Sequence, residues 1–355
     1  MSDNQKPSGT PVTERLRRLQ LNPIVFLAWA VFFLSLAIAP RFVNAGIDSY
    51  IANFTLWICL AQSFNLFTGL TGYVNFGNVV FYGIGGFGVA IATSLWHMPP
   101  LIGVLFGGVF SALLALAMSF PTLRLRGAYF AIATLGIEQA VLVLFSNWSY
   151  VNKVSGMTIP LSDYHPIQAY YTILVIAAAT VITLTIIMKA RLGKALSAIR
   201  QQEETALSIG VNATLYKTIA FVLSGFFAGL GGAAWIWNVT YIDPSTAFPT
   251  EYTLIVIAMA MLGGLGTIFG PAIGAAILDY VEVATRTSYP YLHLIIYGLI
   301  IMAVVLVIPD GIVGFAQRLL RRFSFGRAGA SPPASTSGPE ELAHQTQTSV
   351  EEGGH

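Results

Sequence analysis

The chain has 355 residues, of which 55% are hydrophobic and only 10% charged, and its mean hydropathy is +0.71. Soluble domains carry roughly 25% charged residues, so this composition excludes an ordinary soluble fold and specifies a polytopic membrane protein. A net charge of +2 with scattered basic residues excludes a nucleic-acid-binding face, and the single cysteine, Cys59, excludes an intrachain disulfide.

Residues 1–22 are a polar leader with Arg15, Arg17 and Arg18 just ahead of an apolar run over 23–39. A basic start, an apolar middle and Ala37-Ile38-Ala39 also fit a signal peptide. The long leader, and Pro40 after any cut, favour a retained first span. Further apolar runs cover 47–67, 73–96, 100–120, 127–145, 167–188, 218–237, 252–262, 268–283 and 291–308. Most approach the ~20 residues needed to cross a bilayer. The short pair at 252–262 and 268–283 reads either as a re-entrant hairpin or as two tilted spans that begin and end on one side.

Alternating from a cytoplasmic N-terminus puts 15 of the 18 basic residues inside and leaves Arg41, Lys153 and Arg286 outside. The expected fold is therefore an all-α polytopic membrane protein with about ten transmembrane or re-entrant helices and both termini cytoplasmic. The leader 1–22 and the tail 317–355 flank a membrane domain over 23–316. The tail is poor in apolar residues and is expected to be disordered. The polar loop 146–166 falls outside.

One polar stretch, 189–217, interrupts the apolar pattern on the cytoplasmic side. From Lys194 to Ile209 it lacks Pro and Gly, and Ala195, Ala198, Ile199, Ala206 and Ile209 recur at helical spacing. Gly210 suits a left-handed cap. The residues alone fit a helical loop gripped by a soluble partner and a solvated linker equally well.

Seven glycines between Gly69 and Gly88 are too many for a lipid-facing helix. They allow either close helix packing or broken backbone lining a cavity, where Asn75 and Asn78 can bond a polar solute and Phe81 sits one turn on. In 263–276, Gly266, Gly270 and Gly274 recur every four residues, as on one helix face, and Pro271 suits a first helical turn. Glu138 lies midway along an apolar run, where a carboxylate is either functional or a hydrogen-bond hub. The chain carries no phosphate-binding G-x-x-x-x-G-K-[ST] loop, no nucleophile–base arrangement and no metal-ligand spacing, so neither catalysis nor a cofactor is expected of it.

Five blocks in order carry a family resemblance. The stretch 69–88 resembles a G-x-x-G-x-x-x-x-G-x-x-x-F-x-x-x-G-A-Y block, and RLRGAYFAIATLGIEQ at 124–139 is similar to R-x-R-G-x-Y-F-A-I-x-T-L. AIRQQEETALSIGVN at 198–212 is similar to A-I-R-x-N-E-x-A-A-x-x-x-G-I-N, and GGLGTIFGPAIGAA with Pro309-Asp310-Gly311 completes the set. Together they resemble the LivM-like branch of the LivH/LivM permeases, subunits of ABC importers for branched-chain amino acids. The resemblance implies a multi-pass permease of the bacterial inner membrane, working with a LivH-like permease, two LivG/LivF-like ATPase subunits and a periplasmic binding protein. It implies that 189–217 couples to the ATPase through the family's E-A-A-x-x-x-G loop, here Glu204-Thr205-Ala206-Leu207-Ser208-Ile209-Gly210, with Glu203 alongside. It implies a pathway past Asn75, Asn78, Phe81, Glu138, Gly266 and Gly270. Tyr73-Val74-Asn75, Asn78 and Gly86-Phe87 depart from the family pattern, which leaves urea and short amides open as substrates. A stand-alone secondary transporter or channel, with Glu138 as an ion site, is the rival class.

Overall fold

A computed structural model describes residues 23–41 and 45–288, and beyond these 292, 295, 298–299, 302 and 311–314. The leader, the tail and most of the expected last span at 291–308 lie outside the described residues.

A backbone in hydrocarbon must satisfy its own N–H and C=O groups, and the apolar runs accordingly form helices. They are α1 (Pro23–Ile38), α2 (Ala45–Phe64), α3 (Asn78–Ser94), α4 (Pro100–Thr122), α5 (Ala128–Asn147) and α6 (Pro166–Lys189). The polar stretch follows as α7 (Arg191–Gln201) and α8 (Glu203–Ser208), and then come α9 (Ala213–Val239), α10 (Pro244–Ala247), α11 (Thr250–Gly263) and α12 (Gly270–Ser288). Five stretches among the described residues are long and apolar enough to cross a membrane: α4, α5, α6, α9 and Pro244–Gly263, which holds α10 and α11.

The most apolar stretch of α9 is 72% buried and that of α5 only 22%. α9 is therefore central and α5 peripheral. α3, α4 and α9 pack together through backbone contacts that only glycine allows. A Cβ on Gly85 would strike the backbone of Gly229, and one on Gly107 would strike the carbonyl of Gly85. The Ser111 hydroxyl donates to the Phe81 carbonyl at 2.8 Å, bridging α4 to α3. Close backbone approach of this kind is how helices associate where no hydrophobic force separates helix from lipid.

Three features differ from expectation. The single helix expected over 194–209 is two, broken at Gln202, whose φ of −160° is extended. Gly266 does not share a helix face with Gly270 and Gly274: it lies in the α11–α12 turn at φ +79°, and α12 begins only at Gly270. α11 and α12 pack as a hairpin in which a Cβ on Gly263 would meet Gly270 and one on Gly274 would meet the Met259 carbonyl. Finally, the all-α fold carries one two-stranded antiparallel ladder, β1 (Met157–Thr158) against β2 (Tyr241–Ile242), with Met157 opposite Ile242. It ties the 146–166 loop to the segment between α9 and α10, where an Asp243–Thr246 capping box starts α10.

Candidate translocation pathway and coupling loop

Between α2 and α3 the helix is interrupted, one of the two arrangements that the glycine content allowed. α2 runs into a buried π turn, Asn65–Gly69, and residues 72–77 are non-helical. Side chains satisfy the freed backbone. Thr71 Oγ1 accepts from Tyr73 N–H (3.2 Å), Thr134 Oγ1 of α5 accepts from Phe76 N–H (3.1 Å), and Asn75 Oδ1 accepts from Gly77 N–H (3.0 Å). Irregular backbone at membrane depth survives only when protein or a cavity replaces the missing partners. Asn75 thus has a structural task, yet its Nδ2 is buried with no partner among the described residues, and so is Asn78 Oδ1 at the first residue of α3. Phe81 packs behind them, its ring centroid 5.4 Å from that of Phe221.

Glu138 is fully buried. Its Oε1 accepts from the hydroxyl of Thr250, the first residue of α11, at 2.7 Å, and Gln139 Nε2 donates to the same hydroxyl at 3.1 Å. Glu138 Oε2 and Thr253 Oγ1 are buried without a partner among the described residues. Gly266 lies in the α11–α12 turn, and Gly270 opens α12. Asn65 clamps that turn, accepting from Gly266 N–H at 2.8 Å and donating to the Thr267 carbonyl at 2.9 Å, and Gln62 Nε2 donates to the Ile268 carbonyl at 2.8 Å. Thr267 Oγ1 accepts from Gly270 N–H at 3.0 Å and starts α12. The two glycine-rich turns therefore meet in space.

The coupling loop is fastened to this junction. α7 buries Leu196 and Ile199, and its Arg200 donates to the Gly69 carbonyl at 2.5 Å. Arg200 Nη1 is also the atom that a Cβ on Gly266 would meet first. Glu203, the first residue of α8, accepts from Lys217 of α9 at 2.8 Å and from the Tyr73 hydroxyl. The Lys217 ammonium lies 4.6 Å from the centroid of the Tyr73 ring. Burial raises the Glu203 pKa, but hydrogen bonds from Lys217 and Tyr73 and the charges of Lys217 and Arg126 outweigh it and hold the carboxyl below its ordinary range. Glu204 pairs with Arg126 at 3.2 Å on an exposed surface, where such a pair contributes only ~0–1 kcal/mol. A cleft of about 520 Å³ opens between the loop and the break, lined by Gly72, Tyr73, Arg126, Arg200 and Glu203 among others.

Ala206 is buried, whereas Leu207 (47% exposed) and Ile209 (71% exposed) project outward. Ile209 is thus not part of the buried face that its spacing suggested. At the end of α8, Val211 N–H bonds to the Ala206 carbonyl and Gly210 N–H to the Leu207 carbonyl, with Gly210 at φ +83°. This is a Schellman cap, which needs a left-handed residue at that position. Arg200, Lys217 and Thr250 were not singled out from the sequence, and Tyr73 only as a departure from the family pattern. Their charge or hydroxyl was visible, but their partners lie 14 to 131 positions away.

Residues 46–305 match the family model described as the permease component of the branched-chain amino acid transport system. The chain belongs to this family. It is 25% identical over 334 residues to the high-affinity branched-chain amino acid transport permease LivM of Salmonella typhimurium, covering 84% of this chain and 74% of that one. Against LivM of Escherichia coli it is 25% identical over 308 residues, 78% of this chain and 72% of that one. The autoinducer 2 import permease LsrC of Escherichia coli is 24% identical over 257 residues, covering 69% and 70%. No solved structure matches the chain. The family assignment makes the protein a LivM-like transport permease, and the buried break, the unpartnered polar groups and the fastened loop are its candidate working parts.

Proposed function

We propose that the chain is the LivM-like half of an inner-membrane ABC importer that moves branched-chain amino acids delivered by a periplasmic binding protein. Its partners would be a LivH-like permease and two ATPase subunits that hydrolyse ATP. About ten transmembrane or re-entrant segments leave both termini in the cytoplasm, 23–316 is the permease domain, and 189–217 docks on the ATPase. The observation that carries this reading is the double tie of the loop to the break: Arg200 to the Gly69 carbonyl, and Glu203 to Tyr73 and Lys217.

Mechanically, closure of the ATPase on ATP would push α8 through Leu207 and the adjoining Glu204, Ala206 and Gly210. α8 is too short to absorb the push. Its first residue, Glu203, pulls Tyr73 of the break, and Arg200 pulls both glycine turns. Displacement of the break moves Asn75 and Asn78 relative to Glu138, and Gly266 and Gly270 allow the facing turn to follow. That sequence opens a polar route through an otherwise closed interior.

The test is uptake by the purified complex reconstituted in vesicles with its ATPases and binding protein. Leucine, isoleucine or valine uptake driven by ATP is expected, with ATP hydrolysis stimulated by the loaded binding protein. Uptake driven by an ion gradient without ATP sinks the importer reading, and ATP-driven uptake of urea or a short amide alone corrects the substrate.

A further inference from the structure

Glu138 begins about 15 Å along α5, at ~1.5 Å per residue, and so lies near the middle of a hydrocarbon core ~30 Å thick. It is 0% exposed. One oxygen is held by Thr250, the residue that opens α11, so the carboxyl lies at that helix's positive end. The other oxygen has no partner among the described residues. No Lys, Arg or His is paired with it there; the ion pairs described are Arg126–Glu204 and Lys217–Glu203.

Two further buried oxygens lie close by along the helices. Thr253 is three residues after Thr250, on the same face of α11, and its Oγ1 is unpartnered. Asn78 follows Gly77, where a Cβ would meet the carbonyl of Thr134, one turn before Glu138 on α5. Asn78 Oδ1 is likewise unpartnered. One turn further along α3, Tyr82 has its ring centroid 5.8 Å from that of Tyr252, the neighbour of Thr253. α3, α5 and α11 thus each carry one buried oxygen without a partner among the described residues, and aromatic rings of α3 and α11 meet beside them. A buried acceptor without a donor is costly, and a buried carboxylate more so, unless a donor arrives. The group that answers this set is a cation with three N–H donors.

We propose that Glu138, with Asn78 and Thr253, is a station that receives the primary ammonium group of the amino acid as it crosses. The inference rests on the importer reading above and assigns a chemistry to its pathway. The carboxylate supplies the charge, the two neutral oxygens take the remaining donors, and Tyr82 and Tyr252 offer apolar surface to the side chain.

The experiment uses the full complex in vesicles with leucine-loaded binding protein. Glu138→Gln keeps an acceptor for Thr250 and nearly the same volume but removes the charge. Loss of a charge-assisted bond predicts that leucine uptake falls about tenfold or more, while assembly and ATPase stimulation stay within about twofold of wild type. Glu138→Asp, which keeps the charge, should retain more uptake than Glu138→Gln. A purely structural hub predicts the opposite order, because Gln preserves the Thr250 bond whereas the shorter Asp side chain withdraws its oxygen from Thr250. Wild-type leucine uptake matched by Glu138→Gln overturns the station and leaves the importer reading standing. A wild-type complex that moves only a solute lacking an ammonium group overturns the station and corrects the substrate of the importer. Uptake that requires sodium or a proton gradient as well as ATP assigns the carboxylate to an inorganic cation and overturns the station alone. Should Glu138→Gln not assemble, Thr253→Val removes one acceptor at constant shape. A fall in uptake with ATPase stimulation retained supports the station, and unchanged uptake overturns it.

Discussion

Removing the Glu203 carboxylate tests whether the loop is tied to the membrane body through a buried charge. The Lys217 side chain is 2% exposed and that of Glu203 17%. Glu203→Ala leaves the Lys217 ammonium buried, with the Tyr73 ring at 4.6 Å as its remaining described contact. Breaking a buried pair from one side costs roughly 3–5 kcal/mol, and a desolvated cation–π contact offsets ~1–2 of it. The expected loss is about 2–3 kcal/mol, a drop of roughly 5 °C in the unfolding midpoint of the purified permease. Adding Lys217→Met removes the stranded charge and should restore the midpoint to within about 2 °C, since an apolar replacement of a buried pair is often neutral. Coupling should not return, because the double variant still lacks the bond to Tyr73. Thermal unfolding in detergent and substrate-stimulated ATPase activity measure the two effects separately. A single variant as stable as wild type, or a double variant no more stable than the single, would refute the buried-pair argument. The pH dependence has a fixed sign. The Glu203 pKa is depressed in the folded protein, so its contribution is complete above the unfolded carboxylate value of about 4.3 and disappears as pH falls through the lower folded value. Glu203→Gln should lack this acid limb.

Three further outcomes follow from the same geometry. Leu207→Asp or Gly210→Val should leave the permease inserted but weaken ATPase binding or uncouple it. The first places a charge on an exposed apolar anchor, and the second forces a β-branched residue to φ +83°, a strain of ~1–2 kcal/mol or more; pull-down of the ATPase and normal uptake by both variants would remove the coupling role. Asn75→Leu and Asn78→Leu should each abolish uptake with the complex still assembled, and unchanged uptake in both would return the break to a packing role. Cysteines placed at Asn152 and Gln202 should label from opposite sides of the membrane with an impermeant reagent; labelling from one side breaks the topology.

The sequence by itself determined what depends on local chemistry. Apolar runs specified helices because hydrocarbon offers the backbone no other partner. The glycine density at 69–88 allowed both close helix packing and a broken backbone, and Gly210 specified a left-handed cap, because only glycine adopts that conformation without strain. Tertiary structure decided what depends on distant partners. The Lys194–Ile209 pattern is helical throughout, yet the helix breaks at Gln202, so that Leu196 and Ile199 on one side and Glu203 and Ala206 on the other each seat against the body. Gly266 and Gly270 share a spacing but not a helix, because Asn65, 201 positions away from Gly266, holds that turn open. Glu138 was visible as a carboxylate in an apolar run. That one of its oxygens is held by Thr250, 112 positions away, and the other by nothing described, is a fact of how α5 meets α11. Periodicity fixes which face a residue occupies along its own helix. Which residue stands opposite is set by the packing of helices far apart in the chain, and a side chain's role follows from that partner.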